Sequence, residues 1–199
     1  MKVLSFVAAA LSAVSVVDAF AAIAPGAKIP SIELHKGFPP DFVNIADYVK
    51  GRKVAVVGLP AAFTPVCFLF FESHRNVPGY LESTDALKAA GIDEVIVYCV
   101  NDGAVMKAWE ADQKTEGTIV TMLGDPSGAF TKACDMEMTH EGPISVGIIG
   151  RCKRWAMLVD DGEVKAVNVA ESELDPAGDD FPEKTLAPAL IEMVTTVNA

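Results

Sequence analysis

Val54-Ala-Val-Val-Gly-Leu59 is an uninterrupted apolar run of strand length. Side chains alternate across a strand, so a strand wet on one face shows a polar residue at every second place, and one that does not is covered on both faces. Val95-Ile-Val-Tyr-Cys-Val100 repeats the pattern. Between the two, residues 77–90 carry helix formers and stop at Gly91, so strand, helix and strand follow one another. Outward from this unit, a helix is expected over 104–113, a strand over 118–123 and a short helix over 127–134. Residues 154–160 and 163–169 flank Asp161-Gly162, a hairpin turn pair. A last helix is expected over 183–197, and the acidic stretch 171–182, with its Pro and Gly, reads as a long exposed loop. The fold class is α/β, a central mixed sheet flanked by helices, its last two strands antiparallel.

The chain has 199 residues, 51% of them hydrophobic and 22% charged, a composition that folds rather than stays disordered. With 16 Lys and Arg against 27 Asp and Glu, its net charge of −11 removes the attraction that nucleic-acid binding depends on. Lys2, the apolar run 3–17 and the small Ala19 describe a secretory signal peptide over residues 1–19. The apolar run falls short of the about 20 residues of a membrane span, so no membrane partner is expected. Phe20, directly after the expected cut, resembles the bipartite plastid-targeting signals of algae with secondary plastids. Secretion or a secondary plastid is the expected destination, with a cytoplasmic protein bearing an apolar tail as the alternative. The body, residues 25–199, is the size of one domain.

Four cysteines stand at 67, 99, 134 and 152 with no CxxC among them, and His35, His74 and His140 are isolated, so neither a dithiol centre nor a metal site is expected. Cys67 ends Pro60-Ala-Ala-Phe-Thr-Pro-Val-Cys67, directly after the buried strand. Pro65 suits the first turn of a helix but not its interior, which places Cys67 near a helix N-terminus. Backbone N–H groups and the helix dipole there stabilise a thiolate, the nucleophilic form of cysteine. Thr64 offers a hydroxyl close by, and Arg154, at the start of the hairpin, is the best cation from elsewhere in the chain. The other reading, a small buried hydrophobe, stays open on these residues alone.

The octet resembles the active-site signature of the peroxiredoxins, specifically the type II (5-type) branch, whose usual text is PGAFTPxCS. Four further blocks resemble that branch in order: Pro78-Gly79-Tyr80, Val100-Asn101-Asp102 with Val105 to Trp109, Gly124 to Phe130, and Lys153-Arg154-Trp155-Ala156 before Asp161-Gly162. The resemblance implies a thioredoxin-like fold and a thiol peroxidase for hydrogen peroxide and organic hydroperoxides, without metal or organic cofactor. Cys67 would be the peroxidatic nucleophile, Thr64 and Arg154 would polarise the peroxide, and Pro60 and Pro65 would shape the pocket. An external thiol reductant (glutathione with glutaredoxin, or thioredoxin) and a homodimer are implied as well.

Two departures stand out. The family runs CSxxHxPG[FY] from its cysteine, whereas Phe68-Leu-Phe-Phe71 follows here and Pro78 comes five residues late. His74 lies two helical turns from Cys67, about 10.5 Å, too far for a Cys–His dyad. The resolving cysteine of plant-like members sits at the position of Val97, two residues before Cys99, which would face the same way and is the candidate resolver. Its other reading is a core residue. Cys134 and Cys152 have no family role, so a one-cysteine mechanism is expected. Two other classes remain as alternatives: a catalytically impaired thioredoxin-fold binding module, and a secreted structural domain with its cysteines in two disulfides.

Overall fold

In the computed structural model, which describes residues 22–63, 76–170, 172–176, 178 and 182–199, the two apolar runs lie side by side inside a seven-stranded sheet. β1 (Glu33–Lys36), β2 (Asp41–Asn44), β3 (Lys53–Gly58), β4 (Glu94–Cys99), β5 (Val120–Gly124), β6 (Trp155–Asp160) and β7 (Glu163–Val169) are ordered β2-β1-β5-β4-β3-β6-β7. β3, β4 and β5 run parallel. β6 adds antiparallel to β3, and β7 antiparallel to β6. The mixed sheet and the antiparallel last pair are as the sequence indicates.

Val54 and Val56 of β3, with Ile96 and Tyr98 of β4, face one core; Ala55 and Val57, with Val95, Val97 and Cys99, face the other. That two-sided burial explains why neither strand alternates. On the second face lie α2 (Asn76–Glu82), α3 (Thr84–Ala89), α4 (Gly103–Gln113) and α7 (Ala187–Val197), contributing Tyr80, Leu87, Trp109 and Leu190. The first face is closed by α1 (Ile45–Tyr48) and α5 (Ala129–Ala133), through Ile45 and Phe130. A short α6 (Glu141–Ser145) follows. This is a thioredoxin-like fold.

Four differences from the expected elements stand out, and the first two have local causes. The helix expected over 77–90 is two, α2 and α3, bent where the Thr84 hydroxyl donates back to the Leu81 carbonyl at 2.8 Å. The helix expected over 127–134 shortens to α5, because Gly128 takes a left-handed φ of 66° and Asp125 Oδ2 accepts from the Thr131 amide. The helix expected over 183–197 is a 3-10 turn, Pro182–Thr185, followed by α7. The hairpin β1–β2, α1 and α6 were not expected at all. Residues 1–19, the stretch from 64 to 75 in which the extra length after Cys67 falls, and part of the 171–182 stretch lie outside the described residues.

Candidate active site

Thr64, Pro65, Cys67, the Phe68–Phe71 run and His74 lie outside the described residues. The chain on both sides of them, Arg154 and Cys99 are described.

On the upstream side, β3 ends at Gly58, whose missing side chain admits the indole of Trp155: an added Cβ would meet Trp155 Nε1 at 2.1 Å. The Leu59 amide donates to the Tyr98 carbonyl at 3.0 Å, and the Cys152 thiol donates to the Leu59 carbonyl at 3.1 Å. Pro60 follows, buried. The Ala62 amide donates to Asn101 Oδ1 at 3.2 Å, so the Val100-Asn101-Asp102 block holds the loop that leads to Thr64. Phe63 has a left-handed φ of 60°, a costly conformation for a bulky residue, and its ring lies 6.3 Å from that of Trp109.

On the downstream side, α2 opens with Asn76, a buried amide. Arg154, directly before β6, is 0% exposed, and its Nη1 donates to Asn76 Oδ1 at 2.7 Å. Asn76 Nδ2 in turn donates to the Tyr80 hydroxyl at 2.9 Å and to Thr185 Oγ1 at 3.0 Å. The three-residue lead into β6 therefore grips both flanks of the undescribed stretch, Leu59 through Cys152 and Asn76 through Arg154. A buried guanidinium is costly unless bonded, so its placement is held by the surrounding polar groups rather than by packing alone.

The remaining cysteines divide across the sheet. Cys99 is fully buried on the same face as Val97, as strand alternation requires. Cys134 and Cys152 lie in the opposite core beside Tyr98. Burial, and secondarily the Asp125 carboxylate, push the Cys134 thiol well above its ordinary value and keep it protonated. No disulfide joins Cys99, Cys134 and Cys152 to one another. Two bridges among four cysteines would need at least one such pair, so this arrangement is not that of a two-disulfide structural domain.

Asn76, Asn101 and Cys152 are the site-flanking residues that sequence reading passed over. Asn101 belongs to a motif block that assigns it no task of its own. Asn76 stands two residues before Pro78, where the pattern CSxxHxPG carries its His, and that offset was the available signal. Cys152 had none, since its carbonyl partner is 93 residues away.

The family model for redoxins matches residues 24–183. The chain belongs to the redoxin family. Within it, this chain is a type II (5-type) peroxiredoxin by its relatives. It is 36% identical to peroxiredoxin-2E-2, chloroplastic, of Oryza sativa subsp. japonica, over 76% of this chain and 66% of that one. It is 37% identical to peroxiredoxin-2F, mitochondrial, of the same plant, over 66% of this chain and 62% of that one. The matches thus span slightly under two thirds of those curated relatives. Among solved structures, reduced Prx3 of Vibrio vulnificus in complex with hydrogen peroxide superposes with a TM-score of 0.72 at 33% identity, covering 87% of this chain and 96% of that one.

Proposed function

We propose that this peroxiredoxin is a thiol peroxidase that reduces hydrogen peroxide and small organic hydroperoxides through Cys67. The Cys67 thiolate attacks one peroxide oxygen, an S–O bond forms as the O–O bond breaks, and the leaving oxygen departs as water or alcohol after taking a proton. The product is a sulfenic acid. An external thiol then attacks its sulfur, releasing water and leaving a mixed disulfide, and a second thiol frees Cys67. Arg154 and the Thr64 hydroxyl polarise the peroxide and support the thiolate, while Pro60 and Pro65 shield the pocket. Arginine suits the task because its charge persists at any working pH and its fork addresses two acceptors.

One observation carries this reading. The buried Arg154 is bonded to Asn76, the first described residue after the Cys67 stretch, and Cys152, two residues earlier, is bonded to Leu59 just before it. Arg154, the fully buried cation of the Lys153-Arg154-Trp155 block, thus lies against the residue that directly follows the Cys67 stretch. On the full chain with a dithiol reductant, Cys67→Ser abolishes peroxide consumption and leaves the circular dichroism spectrum unchanged. Arg154→Ala lowers kcat/KM by on the order of 100- to 1,000-fold. Unchanged consumption by the Cys67 variant refutes the assignment.

The one-cysteine route is favoured because Cys99, the last residue of β4, is fully buried and would have to leave its core to resolve Cys67. Intact-mass analysis after one equivalent of peroxide checks it, with a sulfenic acid and no Cys67–Cys99 bridge as the expected products. Glutathione with glutaredoxin, or thioredoxin, serves as reductant, and the working form is a homodimer. Residues 1–19 act as a signal peptide, for secretion or a secondary plastid; the chloroplastic and mitochondrial relatives favour an organelle.

A further inference from the structure

We infer that Asn76 is a positioning residue for Arg154, and that through it the C-terminal 3-10 turn holds the guanidinium at the peroxide site. The hydrogen-bond directions allow only one arrangement. Thr185 Oγ1 gives its proton to the Pro182 carbonyl at 2.9 Å, and the Tyr80 hydroxyl gives its proton to the Thr185 carbonyl. Both hydroxyl oxygens are left as acceptors, 3.0 and 2.9 Å from Asn76 Nδ2. The amide must therefore aim its NH2 at them and its Oδ1 at Arg154, which donates to it at 2.7 Å. Asn76, Tyr80, Arg154 and Thr185 are each fully buried, so an amide turned the other way would leave donors facing donors without water to relieve them. The circuit joins residues 78 and 109 positions apart, which local structure cannot do.

This inference rests on the peroxidase reading of Cys67 and Arg154, and a mutant cycle separates the two. On the full chain, kcat and KM for hydrogen peroxide are measured for Asn76→Ala, Thr185→Val and Arg154→Ala, and for each of the first two combined with the third. Asn76→Ala lowers kcat/KM by on the order of 100-fold, the cost of a misplaced catalytic group. Thr185→Val, which keeps the side-chain shape and loses the hydroxyl's bonds to Asn76 and to the Pro182 carbonyl, lowers it about five-fold. Neither change lowers the rate further in the Arg154→Ala background. In both single variants the pH at which Cys67 reacts with iodoacetamide rises, because the cation supporting the thiolate is no longer held; a loss of packing alone would not move it. Multiplicative effects in the double variants, or full activity in a folded Thr185→Val protein, overturn the inference alone. Full activity in Arg154→Ala overturns the peroxidase role of the guanidinium and the inference with it. Should Asn76→Ala fail to fold, the Thr185→Val cycle decides.

Discussion

A glycine and a tryptophan show how closely the site's supports are fitted. Gly58 ends β3 just before the loop to Cys67, and a methyl there would lie 2.1 Å from Trp155 Nε1 and 2.9 Å from Tyr98 Cε1. Neither ring can step aside, because Trp155 Nε1 donates to the Tyr98 hydroxyl at 2.9 Å and both are fully buried. Gly58→Ala should cost about 1–3 kcal/mol by overpacking, read as a lower urea midpoint with unchanged slope, and should slow peroxide turnover through the displaced Leu59. Cysteine reactivity follows the same logic of place. Cys134, buried and held protonated, should stay unmodified by iodoacetamide at pH 8 in the native protein and react only after unfolding, which peptide mapping checks. What was legible at this scale was whatever is contiguous. The octet around Cys67 spells its chemistry in eight residues and Arg154 sits in a recognisable block, whereas Asn76 acquires its task only when folding brings Arg154 and Thr185 to it.

At the scale of elements, the buried strands declared themselves because a short run apolar at every position suits a strand only when both of its faces are covered. β1 and β2 did not, since each is four residues long and of the eight only Leu34 is fully buried, too little for a period of two to show. The Asp161-Gly162 hairpin was legible because its turn demands left-handed backbone, and both residues have it, with φ of 46° and 75°. Helix limits were set by side-chain bonds that composition does not reveal. Asp102 is the clearest case: its Oδ1 accepts from the Val105 amide at 2.9 Å and caps α4, whose Trp109 packs near Phe63. Asp102→Ala should destabilise the protein by about 1 kcal/mol, and Asp102→Asn by much less, since the amide oxygen still accepts; thermal unfolding of the pair distinguishes capping from charge.

Across the whole molecule, the sheet separates two interiors. The face bearing Val97 and Cys99 carries the helices around the site, while the opposite face buries Tyr98 and Cys134 close together. Desolvation raises the Tyr98 hydroxyl well above its usual value, with Cys152 and Cys134 adding to it, and raises the Cys134 thiol as well. Both groups are acids whose neutral form the fold prefers. Below the unfolded values of about 8.5 for cysteine and 10 for tyrosine, folded and unfolded chains are protonated alike and the stability is whole. Above them the unfolded chain releases protons that the folded chain keeps, so stability falls by about 1.4 kcal/mol per pH unit for each group. The urea midpoint should therefore hold up to about pH 8.5 and decline above it, steepening near pH 10 as Tyr98 joins. Cys134→Ala should lower the midpoint at pH 7, where only a cavity is made, yet flatten the decline between about 8.5 and 10. A parallel decline in that variant would mean that the fold does not hold the thiol in its protonated form.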